Sequence, residues 1–444
     1  MGGGLTFNGA ESLTQPFTFT CAADIHGRSL VGNGSDEKPF LVGLSTKAMV
    51  LRLAIPPDSF IMHIDATYKL NRLEYPVMVV GVSDRSRGFH VVALFVVSQE
   101  VEEIYEAALR ALSRLFTCIT GQQLVVRFTM GDAGKAQYNA LRTVFSSHPR
   151  YTFLMCFFHV MKNVNKALRG LSSDVCASLI GDIYNMHFAS NEYEFLAMRD
   201  QVLQYWLGNP ALYDFGVYMR DQWLYGRFCN WQAFWTRSGF ATTNNPVETF
   251  NNVLKRDYTL RRRLTMGALL QELSECCHHS AGNVRPFLYT VVPSSSLVRR
   301  ANEMARANLL QLWHGEEAFA PPSEQRIVHV ISWAALRVQV NPTKRSEIGI
   351  AVSAQMGSNY ARMEVLNQPL AGWPVDLRTQ WCPCKFCFAF GTCVHVVYAL
   401  RCTSHVETLG RELLVSRRKR KTTRGAITDP MVGRALVVGS ALTF

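Results

Sequence analysis

Three cysteines and one histidine lie close together near the C-terminal end of this 444-residue chain. Thiolate sulfur and imidazole nitrogen are the ligands that a tetrahedral structural zinc ion prefers, and four of them fill its coordination sphere. The four residues form two pairs, Cys382 with Cys384 and Cys393 with His395, and one residue separates the members of each pair. Gly391 stands just before the second pair, and this close spacing predicts a tight zinc knuckle. Cys387, between the pairs, is a spare or substitute ligand; in the alternative interpretation all these cysteines are small buried apolar residues. The candidate zinc ligands are Cys382, Cys384, Cys393 and His395.

Three acidic residues, far apart in the sequence, form a second candidate site. Asp65 ends a predicted strand, Asp132 directly follows another, and Glu248 starts a predicted helix. In open α/β sheets ligands bind outside the carboxyl ends of strands, and carboxylates gathered there suit Mg²⁺ or Mn²⁺. Two such ions promote in-line attack on a phosphate. Each acid also has a structural interpretation: Asp132 as a helix cap, Glu248 as a capping-box partner of Asn245, and Asp65 as an ordinary strand-end acid.

A sheet with flanking helices must position these acids. Apolar runs and alternation predict strands at residues 60–65, 76–83 and 88–98, a helix at 101–119, a strand at 124–130, a helix at 133–145 and a strand at 151–158. This order is typical of an α/β domain with a central sheet. Between about 160 and 240 the strand pattern disappears, which predicts an all-helical insertion. A new helix is expected from Pro246 towards Lys255, because Pro246 fixes a first turn.

The bulk composition favours a partner made of phosphate. Lysine and arginine number 46 against 34 acidic residues, which gives a net charge of +12 and a sequence pI near 9.2. The apolar runs are strand-sized, so no membrane protein is predicted. No secretory signal is visible at the N-terminus, and the 12 cysteines are therefore expected in a reducing compartment.

Five motifs together resemble those of Mutator-like element (MULE) transposases over roughly residues 45 to 400. They are Ile64-Asp65-Ala66-Thr67-Tyr68-Lys69, Gly131-Asp132-Ala133, Cys156-Phe157-Phe158-His159, Thr243-Asn244-Asn245-Pro246-Val247-Glu248, and the cysteine and histidine cluster. The resemblance implies a ribonuclease H-like catalytic domain, an all-helical insertion and a C-terminal SWIM-type zinc finger. It also implies that Asp65, Asp132 and Glu248 are a DDE triad that binds Mg²⁺ or Mn²⁺. The cluster would then supply the SWIM ligands of a structural Zn²⁺.

Two further groups of residues follow from these motifs. Cys156 and His159 resemble the C-x-x-H element of such transposases, in which His159 either approaches the DNA or the scissile phosphate or only orients the insertion. Simple packing of this pair is the alternative. Lys255 and Arg256 are expected to share a helix face with Glu248 and to bind the DNA backbone, together with Asn251 and Asn252. The alternative is a solvated polar face.

The expected organisation has five parts. Residues 1–45 form an irregular lead-in, 46–290 the ribonuclease H-like MULE domain, 291–325 a helical linker, 326–401 a small β-rich SWIM zinc module, and 402–444 a basic tail. Only 64 residues precede Asp65 and they contain one cysteine, Cys21, so the N-terminal DNA-binding zinc domain usual in full-length members is not expected in this sequence. The tail carries the run Arg417-Arg418-Lys419-Arg420-Lys421, which predicts residence in the nucleus.

The leading hypothesis is a DDE-type transposase that cleaves and transfers DNA strands with divalent metal and without a covalent protein–DNA intermediate. Its partner is double-stranded DNA, namely transposon ends and target, and homo-oligomerisation stays open. The alternative is a domesticated or inactive relative that acts as a DNA-binding or transcription regulator, as in the plant far-red response transcription factors. The zinc is expected to be structural, because four protein ligands leave no open coordination position.

Overall fold

The computed structural model describes residues 7–19, 22–23, 29–283, 285–313, 326–334, 356–404, 415–416 and 437–438. The chain divides into two units, the first comprising Met1–Val291 with Ala389–Gly391 and the second Val292–Phe388 with Thr392–Phe444. The basic run at residues 417–421 lies outside the described residues. Nuclear residence therefore stays a prediction.

A seven-stranded mixed sheet forms the centre of the first unit. Its order is β1-β4-β7-β6-β5-β8-β9, while β2 and β3 form a separate ladder. Strands β5, β8 and β9 run parallel, and β6 and β7 pair antiparallel with their neighbours. In chain order the strands are β1 (Phe17–Phe19), β2 (Ala22–Ala23), β3 (Ser29–Leu30), β4 (Leu41–Ser45), β5 (Ile61–Thr67), β6 (Val77–Ser83), β7 (Phe89–Val97), β8 (Phe128–Gly131) and β9 (Thr152–Met155).

Helices cover both faces of this sheet. In chain order they are α1 (Lys47–Val50), α2 (Glu102–Thr120), α3 (Lys135–Phe145), α4 (Phe157–Ala167), α5 (Ser173–His187), α6 (Glu192–Gly208), α7 (Tyr213–Met219), α8 (Asn245–Val253) and α9 (Met266–Gly282). Alternate residues of β6 serve opposite faces: Val80 packs in the apolar cluster that contains Leu112 of α2, and Val79 in the cluster that contains Leu269 of α9. Burial on both faces explains why β6 reads as a continuous apolar run.

The segment predicted as an all-helical insertion holds helices α4 to α7 and contains no strand among its described residues. The N-terminal lead-in, residues 1–45, is not irregular throughout as expected. Strand β1 pairs with β4, and β4 pairs with β7 through Leu41 opposite Val97, so part of residues 1–45 completes the sheet instead of forming irregular structure. These strands are short and lack a clear period, and their pairing with β7 is a long-range interaction that local patterns do not encode.

The second unit combines a three-stranded antiparallel sheet, in the order β10-β11-β12, with four helices among its described residues. No described helix in the chain is long and apolar enough to cross a membrane. The elements are α10 (Ser295–Arg306), β10 (Leu310–Leu312), β11 (Ile327–Ser332), α11 (Ser358–Val365), β12 (Trp373–Asp376), α12 (Lys385–Phe390) and α13 (Val394–Ser404), followed by the two-residue strands β13 (Val415–Ser416) and β14 (Val437–Val438).

Two expectations for this unit are wrong. The predicted helical linker, residues 291–325, contains β10, which pairs with β11 and so belongs to the sheet. Asn308 has a φ of 55°, a left-handed conformation that ends the helix and turns the chain into β10. Among its described residues, the predicted β-rich module at 326–401 is a mixture of strands and helices, including α11 at Ser358–Val365.

A buried histidine joins the end of α5 to the rest of the helical segment. The ring of His187 stacks on Phe157 with a centroid distance of 3.6 Å and an interplanar angle of 3°. Its Nδ1 donates to the carbonyl oxygen of Trp231 at 2.7 Å. Burial lowers the pKa of His187 to about 3, although the bond to Trp231 opposes that shift.

We predict that His187 weakens the fold in acid. Because its folded pKa lies below the unfolded value of 6.5, its contribution to stability is present above pH 6.5 and is lost as pH falls towards 3. The free energy of unfolding should fall by about 1.4 kcal/mol per pH unit from this proton alone. Urea unfolding between pH 4 and pH 7 should therefore give a shallower pH slope for His187→Phe than for wild type. An unchanged slope would contradict the prediction, and His148→Phe, at a half-buried position, is the control.

Candidate active site and candidate zinc centre

The parallel pairing of β5 and β8 brings Asp65 and Asp132 to the same edge of the sheet. His63 is paired with Met130, so the same register, continued by two residues, places Asp65 level with Asp132. Neighbouring strands are about 4.8 Å apart. Asp65 lies two residues before the end of β5, and Asp132 directly follows β8.

The turn around Asp132 depends on a close approach at Gly131. A Cβ at Gly131 would lie 2.3 Å from Oε1 of Gln137, whose Nε2 donates to the carbonyl oxygen of Ile64 at 3.0 Å. Asp132 Oδ1 accepts from the backbone N–H of Gly134 at 2.9 Å. Gly134, not Asp132, is the N-cap of α3, so the acid shapes the turn before the helix rather than capping it.

Glu248 lies in the first turn of α8, which begins with Pro246 in its first turn as the sequence predicts. The N-cap of α8 is Asn244, so the capping-box interpretation with Asn245 is wrong. The side chain of Asn244 is buried and bonds to β5 instead. Its Oδ1 accepts from His63 Nδ1 at 2.8 Å and its Nδ2 donates to the carbonyl oxygen of Ile64 at 3.3 Å. These bonds fix the start of α8 on the strand that carries Asp65.

Asp65, Asp132 and Glu248, the acidic crevice, interact electrostatically. Burial, then the charge of Glu248, then that of Asp132 raise the pKa of Asp65 to about 7. Asn251 on α8 opposes the shift by donating from Nδ2 to Asp65 Oδ2 at 2.6 Å. The backbone N–H of Ala66 opposes the shift as well. The structure therefore brings the three predicted acids into one electrostatic site.

Cys156 and His159 lie against the same crevice. Cys156 is the buried N-cap of α4; its backbone N–H donates to the carbonyl oxygen of Gly131 at 3.0 Å, and its Sγ accepts from the N–H of Asn244 at 3.1 Å. Burial raises the pKa of the Cys156 thiol to about 11. One potential ligand atom from each of Cys156, His159 and Glu248 lies within 4.8 Å of the others, whereas the three acids do not form such a group. Within the described residues Nδ1 of His159 is buried without a hydrogen-bond partner.

The expected DNA-facing surface after Glu248 is only partly present. Asn251 is buried and turned towards Asp65, so its assignment to an exposed face is wrong. The helix changes at Leu254–Tyr258 into a π-helical turn, which breaks the three- and four-residue spacing. Lys255 is half-buried there. Arg256 is exposed but forms a bidentate pair with Asp257, at 2.6 Å and 2.8 Å.

The four predicted zinc ligands are brought together. They are fully buried, and one ligand atom from each lies within 4.8 Å of all the others. Nδ1 of His395 lies 3.6 Å from Cys382 Sγ and 3.4 Å from Cys393 Sγ, so Nδ1 is the nitrogen that faces the cysteines. Cys387 is not in the group; its backbone N–H donates to Cys384 Sγ at 3.3 Å. A buried Cys₃His cluster of this kind could hold zinc.

An ion pair that sequence patterns did not indicate lies behind the zinc cluster. Glu364 on α11 and Arg300 on α10 are both buried and pair at 2.6 Å. Burial raises the pKa of Glu364 although Arg300 opposes the shift, and the charges of His395 and Cys393 also act on it. The indole N–H of Trp373 donates to the carbonyl oxygen of Glu364 at 2.8 Å.

Sequence reasoning also missed His63, Asn244 and Gln137 as supports of the acidic crevice. The available signal was weak: His63 is a polar residue inside an apolar strand, and Asn244 stands in the turn before Pro246. Each is a buried polar side chain that needs a distant partner, and the partner cannot be read from local pattern.

We predict that removing the charge of Glu248 lowers the pKa of Asp65. Because the folded pKa of Asp65 is raised, its contribution to stability is present below pH 3.8 and is lost as pH rises through about 7. Glu248→Gln should therefore lose less stability than wild type between pH 5 and pH 8, by about 1 kcal/mol. Denaturant unfolding without divalent cations measures this difference. The exposed Glu275→Gln is the control, and equal pH dependence in wild type and Glu248→Gln would contradict the electrostatic coupling.

Comparison with known proteins supports the assignment of this site to a family. No curated protein matches the chain. Residues 61–163 match the family model of the MULE transposase domain. This segment includes Asp65, Asp132, Cys156 and His159, whereas Glu248 and the zinc cluster lie beyond it. The expected resemblance is confirmed over residues 61–163, which are similar to the MULE transposase domain.

Proposed function

We propose that this protein is a DDE-type DNA transposase of the Mutator-like class, in which metal-dependent phosphoryl transfer cleaves and joins DNA strands. The observation that carries the proposal is the electrostatic coupling of Asp65 to Glu248 and Asp132 at the carboxyl edge of the sheet. Two of these acids lie in the matched MULE domain, which implies DNA as a partner. No observation on the described residues favours the alternative of an inactive regulator.

The sheet supports a ribonuclease H-like arrangement for this catalytic domain. Among the strands β5, β6, β7, β8 and β9, the first carries Asp65 and the fourth leads into Asp132, and only β6 runs opposite to the other four. Glu248 follows on a later helix, after the helical segment. The proposed catalytic domain covers residues 46–290, extended by strands β1 and β4 at its N-terminal end.

The donors of the acidic crevice fit a hard divalent cation. Three carboxylates supply oxygen ligands, and burial together with the charges of Glu248 and Asp132 raises the pKa of Asp65 to about 7. Asp65, Asp132 and Glu248 would hold Mg²⁺ or Mn²⁺, which would activate a water or 3′-hydroxyl and stabilise the leaving oxygen. The chain's own part is to orient Asp65: Asn251 fixes Oδ2, and Asn244 holds α8 against β5.

His159 is proposed to position Glu248. The two side chains and Cys156 are within 4.8 Å of one another, and the N–H···S bond from Asn244 holds Cys156 in place. The raised pKa of Cys156 keeps the thiol neutral near pH 7, so it adds no charge to the crevice. From this position His159 would orient the Glu248 carboxylate by a hydrogen bond.

We predict that Asp65→Asn, Asp132→Asn and Glu248→Gln each reduce cleavage by roughly 100-fold or more, because each removes a charged metal ligand. The assay is Mn²⁺- or Mg²⁺-dependent nicking of a supercoiled plasmid that carries the genomic DNA flanking the gene. Asp257→Asn, an exposed acid on the turn after α8, is the matched control and should cleave like wild type. Equal cleavage by wild type and Asp65→Asn would exclude catalysis in this crevice.

The second unit is proposed to be a SWIM-type module with one structural Zn²⁺. We predict that Cys393→Ser abolishes zinc binding, whereas Cys402→Ser, a half-buried cysteine of α13 outside the cluster, retains one zinc per chain. Zinc is counted with a chromogenic chelator after denaturation of gel-filtered protein. A wild-type protein without zinc, or full zinc content in Cys393→Ser, would refute the site.

A further inference from the structure

Two loops beside the acidic crevice carry five basic side chains, and four of them form one basic surface. The first loop, residues 68–75, connects β5 to β6; the second, residues 259–264, follows the π-helical turn after α8. All four basic side chains are exposed. We call Lys69, Arg72, Arg261 and Arg262 the basic ridge.

Backbone hydrogen bonds tie the two loops into one surface. The N–H of Leu264 donates to the carbonyl oxygen of Leu70, and the N–H of Arg72 donates to that of Leu264, both at 2.9 Å. Asn71 bridges with Leu264 in parallel register. Leu70 and Asn71 are buried. The ridge is therefore held by the core rather than by its own exposed residues.

Both loops contain residues in the left-handed conformation that non-glycine residues avoid. The φ angles of Lys69, Leu260 and Arg261 are 67°, 48° and 58°. Each such residue costs on the order of 1 kcal/mol, and such strain concentrates at functional sites. In the second loop Arg261 N–H donates to the carbonyl oxygen of Lys255 at 2.7 Å and Arg262 N–H to that of Thr259 at 2.9 Å. These bonds hold the arginines in their strained, outward-facing turn.

The four ridge side chains differ from the other basic residues near them. Arg263 pairs with Glu74 at 2.7 Å, and Arg256 pairs with Asp257. Within the described parts of the chain, no carboxylate pairs with any member of the basic ridge. Four cations held together without a counter-charge repel one another, and an external polyanion would relieve that repulsion.

We propose that the basic ridge binds successive phosphates of the DNA duplex whose scissile bond enters the acidic crevice. This inference rests on the proposed function, because it takes DNA as the substrate. Lys69 is four residues after Asp65, which limits the chain between them to roughly 14 Å. The second loop follows the π-helical turn at the end of α8, the helix that carries Glu248. The ridge thus offsets the repulsion between the crevice acids and the phosphate backbone and fixes the register of the duplex.

The test measures binding separately from cleavage. All proteins are full-length chains that also carry Asp65→Asn, and the probe is a fluorescein-labelled duplex titrated at several NaCl concentrations. Each phosphate contact contributes about 0.9 to the slope of log K against log salt. Arg261→Gln with Arg262→Gln should reduce the slope by about two, and Lys69→Gln with Arg72→Gln by a similar amount. Arg261→Lys with Arg262→Lys should keep most of the slope, because the charge remains.

The matched control removes the same charge elsewhere. Arg114 and Arg169 are exposed, and they lie near or just beyond the ends of α2 and α4, the ends that lead away from the catalytic edge. Arg114→Gln with Arg169→Gln should change the slope by much less than either ridge pair. Melting temperatures confirm that every variant is folded.

Three outcomes would overturn the proposal. The first is no duplex binding by the parent protein, and the second is an equal reduction of the salt slope in the ridge and control pairs. The third is displacement of DNA by polyglutamate of matched charge as effectively as by unlabelled duplex. The last outcome would favour an acidic protein partner. Failure of the proposed function is a different result. In that case the protein with Asp65 intact does not cleave DNA, while duplex binding still depends on the basic ridge.

Discussion

The geometry of the acidic crevice depends on the buried side chain and backbone of Asn244. Asn244 bonds to His63 and Ile64 of β5, and its backbone N–H bonds to Cys156 at the start of α4. His63 extends this network to Ser83 of β6, at 2.8 Å between Nε2 and Oγ. Burial lowers the pKa of His63 to about 4, so the imidazole is neutral near pH 7. Leaving any of these polar groups unpaired in the core would cost about 1–3 kcal/mol, which makes the network form as a unit.

The network holds together acids that would otherwise separate. Asp65 and Asp132 are set level by strand register, and α8 delivers Glu248 only because Asn244 fixes its first turn to β5. Burial and the charges of Glu248 and Asp132 raise the pKa of Asp65, so ionising this carboxyl costs free energy in the folded protein. The groups that oppose the shift are the side chain of Asn251 and the backbone N–H of Ala66.

Sequence patterns could predict the parts of the structure that have a strong local period. Strands β5 to β7 and helix α2 lie within a few residues of their predicted bounds, because their burial on one or two faces is encoded in consecutive residues. The four ligands of the zinc cluster were also evident, since they lie within 14 residues. Strands β1 and β4, the inward turn of Asn251 and the π-helical turn at Leu254–Tyr258 were not, because tertiary contacts decide each of them.

The two candidate metal sites therefore differ in how they come to exist. The zinc ligands are separated by at most 13 residues, so a metal can gather them with little loop-closure entropy. The crevice acids are separated by 67 and 116 residues, and they meet only after β5, β8 and α8 have packed. Their repulsion opposes that packing, so the core of the sheet must supply the stability that holds them together. A cation in the crevice would then add to a fold already formed, whereas zinc would take part in forming its own.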